Sequence, residues 1–233
     1  MKTKCAIMQP HFFPWSGYFN LISKVNKFIF LDDAQYSKNS WQSRNKILIN
    51  NEIKWITAHT KKSSTKNTKI LEKKLDDQTN WVAKLNKTII QNYSKHKHFN
   101  NVLELLENLD QKSTKNLAEL NIKLIKFICN KIDINSEFIL SSSFNIKKTR
   151  TDKIIELIKK INATEYLTVI GSENYLAEDN FEKKTKIKLK INNYLQLQYR
   201  QYKQINFIKN LSIIDVIANL GWQKTSNYVK EKI

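Results

Sequence analysis

Residues able to do chemistry gather most densely just after the first apolar run. From Met8 the chain reads Met-Gln-Pro-His-Phe-Phe-Pro-Trp-Ser-Gly-Tyr, ending at Tyr18. His11 supplies a proton acceptor, Gln9 and Tyr18 supply hydrogen-bonding groups, and Gly17 stands where a helix can open. The free N–H groups and dipole of such an opening favour a phosphate. Both prolines, Pro10 and Pro14, and one of only three glycines fall in this stretch. In a chain so poor in both, Gly17, Gly171 and Gly221 are expected to mark three special turns. Further along, Asp32-Asp33 forms a carboxylate pair that could orient a base or accept a hydrogen bond from an amine. Arg44, one of three arginines, lies between Trp41 and Asn45 as in a phosphate or carboxylate clamp. Gly171-Ser172 is a second candidate phosphate loop. Asn210, Ser212 and Asp215 lead into the last helix, where capping alone accounts for Ser212 and Asp215. For the first loop the competing explanation is a packing turn with buried aromatics, and for Asp32-Asp33 it is a solvated strand end.

The elements that must position these groups follow from apolar spacing. Lys4 to Met8 and Lys27 to Leu31 read as buried strands, with a helix from Gly17 to Val25 between them. Asp32-Asp33 then ends the second strand on the same sheet edge as the first loop. Short strands are expected at Lys46 to Ile49 and Lys54 to Thr57, joined by a hairpin turn at Asn50-Asn51. From 68 to 131 apolar residues recur at three and four, a mostly helical subregion. Strands follow at Phe138 to Leu140, Tyr166 to Ile170 and Lys186 to Ile191, the last at an edge. A helix over Lys153 to Lys160 is capped by Thr151-Asp152, and one over Ser212 to Leu220 is closed by Gly221. Strands alternating with helices predict a single α/β domain over 1–233, a mainly parallel, Rossmann-like sheet with helices on both faces. In such sheets ligands bind beyond the carboxyl ends of strands, where the first strand turns into its helix. Lys61 to Lys69 is the expected mobile loop.

The first strand, loop and helix share the layout of the HxGH nucleotidylyltransferases. Trp15-Ser16-Gly17-Tyr18 would stand in place of that tetrapeptide, with both histidines missing. The loop lacks the spacing of a Walker or GxGxxG motif. A formal charge of +19 invites a nucleic-acid partner, but 37 of the 40 basic residues are lysines spread along the chain, in a sequence crowded with Asn and Ile. Cys5 and Cys129 read as buried thiols. His96 and His98, two apart, do not share a helix face, so no metal is indicated and no cofactor is named. No apolar run reaches the length of a membrane span and no signal peptide is evident, so the expected location is the cytoplasm.

These residues resemble the WbqC-like proteins of bacterial surface-polysaccharide gene clusters. The resemblance rests on MQPHFFPWSGYFNLI and KFIFLDDAQYSKNSWQSRNKI. It continues through Trp55-Ile56-Thr57, Trp81, the NYSKHKHF stretch and IGSENYL, and closes with Tyr202, Gln204, Phe207 and NLSIIDVIANLG. It implies an enzyme of O-antigen or capsule biosynthesis. The implied reaction transfers a small acyl or aminoacyl group, such as glycine, to the amino group of a nucleotide-linked amino sugar. Tyr202 and Gln204 become candidate substrate contacts on this ground. The family's His-Pro pair before the Tyr-x-Gln element is replaced here by Tyr199-Arg200. An activated acyl donor is implied, aminoacyl-tRNA being one. Two alternatives stand beside it: a degenerate nucleotidylyltransferase-like enzyme that binds a nucleotide or activates an amino acid, and a non-catalytic RNA-binding protein.

Overall fold

The computed structural model describes residues 2–50, 52–62, 65, 67–110, 114 and 116–232. Strand β1 (Lys4–Met8) is followed by helix α1 (Ser16–Ser23) and strand β2 (Lys27–Phe30). An antiparallel hairpin, β3 (Arg44–Ile49) and β4 (Glu52–Thr57), comes next. Helices α2 (Trp81–Tyr93), α3 (Phe99–Glu107) and α4 (Leu117–Lys131) then lead to β5 (Glu137–Leu140) and α5 (Arg150–Lys160). The chain closes with β6 (Glu165–Val169), α6 (Glu173–Glu178), α7 (Phe181–Lys184), β7 (Lys188–Asn192) and α8 (Ile213–Val229).

Five strands form one parallel sheet in the order β5-β2-β1-β6-β7. Side chains alternate across it because the strand period is two. Ala6, Phe28 and Phe30 join a core with α1, α2, α3, α4 and α8. Cys5, Ile7 and Ile29 face the other way, onto Ile154, Leu157 and Ile158 of α5 with Leu176 and Phe181. Helices therefore cover both faces, as a parallel sheet requires. After β1 the chain winds first toward β2 and β5 and later toward β6 and β7, so the strand order reverses between β1 and β6. The register shows the consequence: β1 pairs with β2 through Met8, but with β6 only at Lys4 and Cys5. Beyond Cys5 these two strands part, which is where open α/β sheets take their ligands.

Several expectations are corrected. The chain from 68 to 80 forms a single 3-10 turn at Ile70–Glu72 rather than an α-helix, because it is pinned by bridges from Lys69 to Gln35, Leu75 to Thr60 and Lys74 to Asn116. Helix α5 starts at Arg150 with Thr149 at the cap, and the Thr151 hydroxyl instead donates to Asp179 at 2.7 Å. Gly221 closes the helix that begins after Ser212, as expected, with φ 71° and ψ 173°, but a second helical stretch runs on to Val229. A Cβ there would lie 2.6 Å from His98 Nδ1. Of the three glycines only Gly221 needs a left-handed backbone, and around Gly171 a Cβ would meet nothing within 4 Å. Asn50 in the hairpin turn is left-handed at φ 50°, whereas Asn51 lies outside the described residues. So do Ser63, Ser64 and Lys66 of the expected mobile loop.

Candidate functional site

The loop from Gln9 to Trp15 has no secondary structure to satisfy its backbone, so distant segments do so. The Gln9 carbonyl accepts from the Tyr18 hydroxyl at 3.0 Å, and the Pro10 carbonyl from Asn121 Nδ2 at 2.9 Å. Asn45 Nδ2 donates to the carbonyls of Phe12 and Phe13 at 3.2 and 2.8 Å, and the Ser212 hydroxyl adds a bond to Phe13 at 2.9 Å. The Ile213 N–H reaches the Pro14 carbonyl at 2.9 Å. Phe13 holds a left-handed φ of 41° with its ring fully buried. A non-glycine residue there carries of order 1–3 kcal/mol of strain. The packed ring and its doubly bonded carbonyl hold it in place.

This scaffold frames a cavity of about 390 Å³ at the carboxyl end of β1, lined by Met8, His11, Pro14, Trp15, Trp41, Asn45 and Asn210. Its walls are mostly aromatic and apolar with few polar groups, the composition of a small-molecule site. His11 is half-buried with its ring 5.4 Å from Tyr18. Burial disfavours the imidazolium and pushes its pKa down to about 4, so the ring is neutral at neutral pH. Gly17 sits under the Trp15 indole, where a Cβ would fall 2.2 Å from Cζ2. The glycine therefore serves the close approach of Trp15. The first turn of α1 is buried at Ser16, Gly17 and Tyr18, so Gly17 presents no open anion site.

Beside the cavity the hairpin turns a cationic, aromatic face outward. The Arg44 guanidinium stacks 4.1 Å above Trp55, and Trp41 and Trp55 lie 5.3 Å apart. Lys46 stands 5.1 Å from Trp55 and 5.7 Å from Trp41. The Phe12 N–H donates to the Trp41 carbonyl and ties the loop to the turn before β3, and the Ser212 N–H donates to the Lys46 carbonyl and ties β3 to the cap of α8.

The remaining candidates separate from this cavity. Gln9 is engaged with Gln42, whose Nε2 donates to Gln9 Oε1 at 2.8 Å. Asp32 accepts from the Ser141 hydroxyl at 3.0 Å, the Ser142 N–H at 3.0 Å and the Ser142 hydroxyl at 2.6 Å. Asp33 bonds the Ser141 hydroxyl and pairs with Lys153 at 2.5 Å. The pair thus fastens the end of β2 to the turn after β5 and to α5. Gly171-Ser172 forms an exposed 3-10 turn after β6. Ser212 caps α8. Asp215 is fully buried, bonded by Tyr93 at 3.2 Å, Tyr199 at 2.6 Å and Gln201 at 3.1 Å, and burial raises its pKa despite these donors. Tyr202 and Gln204 line a different, polar cavity of about 340 Å³ with Lys95 and His96. There Tyr93 and Tyr202 flank the His96 ring at 4.6 and 4.8 Å, and burial lowers its pKa to about 4.

Of the sequence candidates, His11, Pro14, Trp41, Asn45 and Asn210 converge on the first cavity, Tyr18 backs His11, and Arg44 stacks on Trp55 outside its lining. Asn45 contributes by holding the loop. Trp15, Trp55, Lys46 and Asn121 were missed. Trp15 was signalled by its place two residues before a rare glycine. Trp55 and Lys46 are signalled only by strand register.

The match to the WbqC-like protein family runs over residues 9–227, from the first loop to the last helix. The chain belongs to this family. It is similar, at 32% identity over 222 residues and 94% of each chain, to the uncharacterized protein Rv1507c of Mycobacterium tuberculosis. No solved structure matches it. In this WbqC-like chain the family match begins at Gln9, one residue past β1, so it takes in the loop that builds the cavity.

Proposed function

We propose that this WbqC-like protein is an enzyme of bacterial surface-polysaccharide biosynthesis. It transfers a small acyl or aminoacyl group to the amino group of a nucleotide-linked amino sugar, which would place it in the cytoplasm. The observation that carries the proposal is the neutral His11 imidazole inside an aromatic cavity at the carboxyl end of β1. Family membership supports the substrate class.

In the reaction the amine nitrogen attacks the acyl carbon of an activated ester, forming the C–N bond. The ester C–O bond then breaks. His11 takes the proton the amine sheds and returns it to the departing oxygen, which leaves as an alcohol. An imidazole with its pKa held near 4 is always in the accepting form at neutral pH. A bound phosphate would raise that pKa and so make the base stronger once substrate is seated.

The test is incubation of UDP- or dTDP-linked amino sugars with glycyl-tRNA, acyl-thioesters, or glycine plus ATP, followed by mass spectrometry. Gain of one acyl mass, lost in His11→Gln, supports transfer. Pyrophosphate release from ATP with no sugar product would favour amino-acid activation. Salt-sensitive RNA binding without any product, indifferent to His11 and Arg44, would favour the RNA-binding alternative.

A further inference from the structure

Five tryptophans occur in the chain. Trp81 is buried, Trp15 and Trp222 are half-buried, and the two most exposed, Trp41 at 42% and Trp55 at 43%, are neighbours on the outer face of the hairpin. Strand alternation puts Arg44 and Lys46 on that same face, and Lys46 pairs directly across from Trp55. Cross-strand stabilisation, worth about 0.2–1 kcal/mol per pair, accounts for Lys46 beside Trp55. It does not account for Trp41, which comes from the turn before β3. Nor does it account for Arg44 Nε, which is buried without a hydrogen-bond partner. A buried donor of this kind costs about 1–3 kcal/mol until an acceptor arrives. Among the described residues neither Arg44 nor Lys46 has a carboxylate partner. Arg150, by contrast, is closed by Asp179 through two bonds of 3.1 and 3.0 Å.

We propose that this face is a nucleotide shelf: a heteroaromatic base packs in the angle between the Trp41 and Trp55 rings, which tilt 44° to each other, and its phosphates are held by Arg44 and Lys46. The inference rests on the proposed function and divides the substrate between two sub-sites, with the nucleotide on the hairpin and the sugar in the cavity beside His11. Three features select this ligand. Flat aromatic rings favour a flat partner, and stacking a base on them is worth about 1–3 kcal/mol. Two cations without carboxylates call for an anion, and the guanidinium fork fits phosphate oxygens. A neutral sugar stacked on the rings would leave both cations and the Arg44 Nε unanswered. The shelf also joins the cavity, since Trp41 belongs to both. The backbone bonds from Phe12 to Trp41 and from Ser212 to Lys46 hold the two as one unit.

Calorimetric titration of the full chain with UDP, dTDP and the corresponding amino-sugar nucleotides tests the shelf. Trp55→Leu and Arg44→Gln are each expected to weaken UDP or dTDP binding about tenfold or more, while Trp55→Phe retains it. Trp15→Ala should leave the bare nucleotide within about threefold and abolish the extra affinity given by the sugar. Melting temperatures are taken for every variant, and Arg44→Gln carries the test if Trp55→Leu does not fold. Unchanged nucleotide affinity in Trp55→Leu or Arg44→Gln, with sugar-nucleotide binding still dependent on Trp15, would overturn the shelf and leave the cavity standing. Failure of the native chain to bind any nucleotide or sugar nucleotide would overturn both. Binding of a single-stranded RNA oligomer through Trp55, with none of UDP or dTDP, would replace the nucleotide by RNA and overturn the shelf as stated.

Discussion

Strands β1 and β2 lie side by side, run the same way and deliver polar residues to the same edge of the sheet, yet their ends are built in opposite ways. After β1 it is the backbone that is satisfied: the carbonyls of Gln9, Pro10, Phe12, Phe13 and Pro14 are held by Tyr18, Asn121, Asn45, Ser212 and Ile213. The side chains of His11, Trp15 and Trp41 are left lining open space. After β2 it is the side chains that are satisfied, the carboxylates of Asp32 and Asp33 being consumed by Ser141, Ser142 and Lys153. A carboxylate pair at a strand end looks catalytic in a sequence. Here both carboxylates are engaged by hydrogen bonds and an ion pair within the fold. The first region is the one we propose binds the ligand, and the second ties the end of β2 to its neighbours.

The sharpest break between the two comes from His11→Gln. Turnover is expected to fall about 10²- to 10⁴-fold, with sugar-nucleotide affinity nearly unchanged. Steady-state kinetics beside calorimetry would check this, and a matching loss of affinity would make His11 a binding residue instead. Gly17→Val should cost about 100-fold in ligand affinity, because its side chain displaces the Trp15 indole from the cavity wall. Circular dichroism should show the fold retained, and full affinity in this variant would remove Trp15 from the site.

Asp32→Ala should do the reverse. Loss of three hydrogen bonds at a buried carboxylate should lower stability by roughly 2–4 kcal/mol in denaturant titration, with ligand affinity within twofold. Lost activity at unchanged stability would restore the pair as catalytic.

A subtler contrast is set by pH. His11 and His96 have folded pKa values near 4, below the usual 6.5, so the unfolded chain binds protons first as pH falls. The stability these two histidines lend should therefore be fully present above pH 6.5 and decline between 6.5 and about 4. Because His11 is half-buried, its share is of order 1–3 kcal/mol. His11→Gln should flatten that decline in pH-resolved unfolding; an unchanged slope would mean His11 does not titrate as its burial implies. The smallest effect belongs to Gly171→Ala, which should change stability and affinity by less than about 0.5 kcal/mol, since the added methyl meets open space. A large loss of affinity there would bring the turn after β6 into the site.

How much of this was legible in the sequence depended on range. β1 and β2 announced themselves as continuous apolar runs, because parallel strands are buried on both faces. The loop between them stood out by its two prolines with His11 between them, whereas Trp41 and Asn45 were singled out only as flanks of Arg44. What the sequence could not display were partnerships across more than a hundred residues. Asn121 reaches Pro10, Ser212 reaches Phe13, and Ser141 closes Asp32. Gly17 was correctly marked as constrained, but the constraint is a ring lying against it and not a phosphate. Trp55 and Lys46 acquire meaning only through hairpin register, which sets Arg44 and Lys46 on one side and Asn45 on the other. The space at Gly221 is closed to a side chain by His98, on a turn far away in the chain.

The four histidines offer the most direct test of where the ligand sits, since His11 lines one cavity and His96 the other. Imidazole resonances of the uniformly labelled protein, followed by NMR as a UDP- or dTDP-linked amino sugar is added, report on both at once. Saturable shifts at His11, with His96 unmoved, are the expected result. Shifts confined to His96, or a bound ligand that leaves His11 untouched, would contradict a binding site at the end of β1.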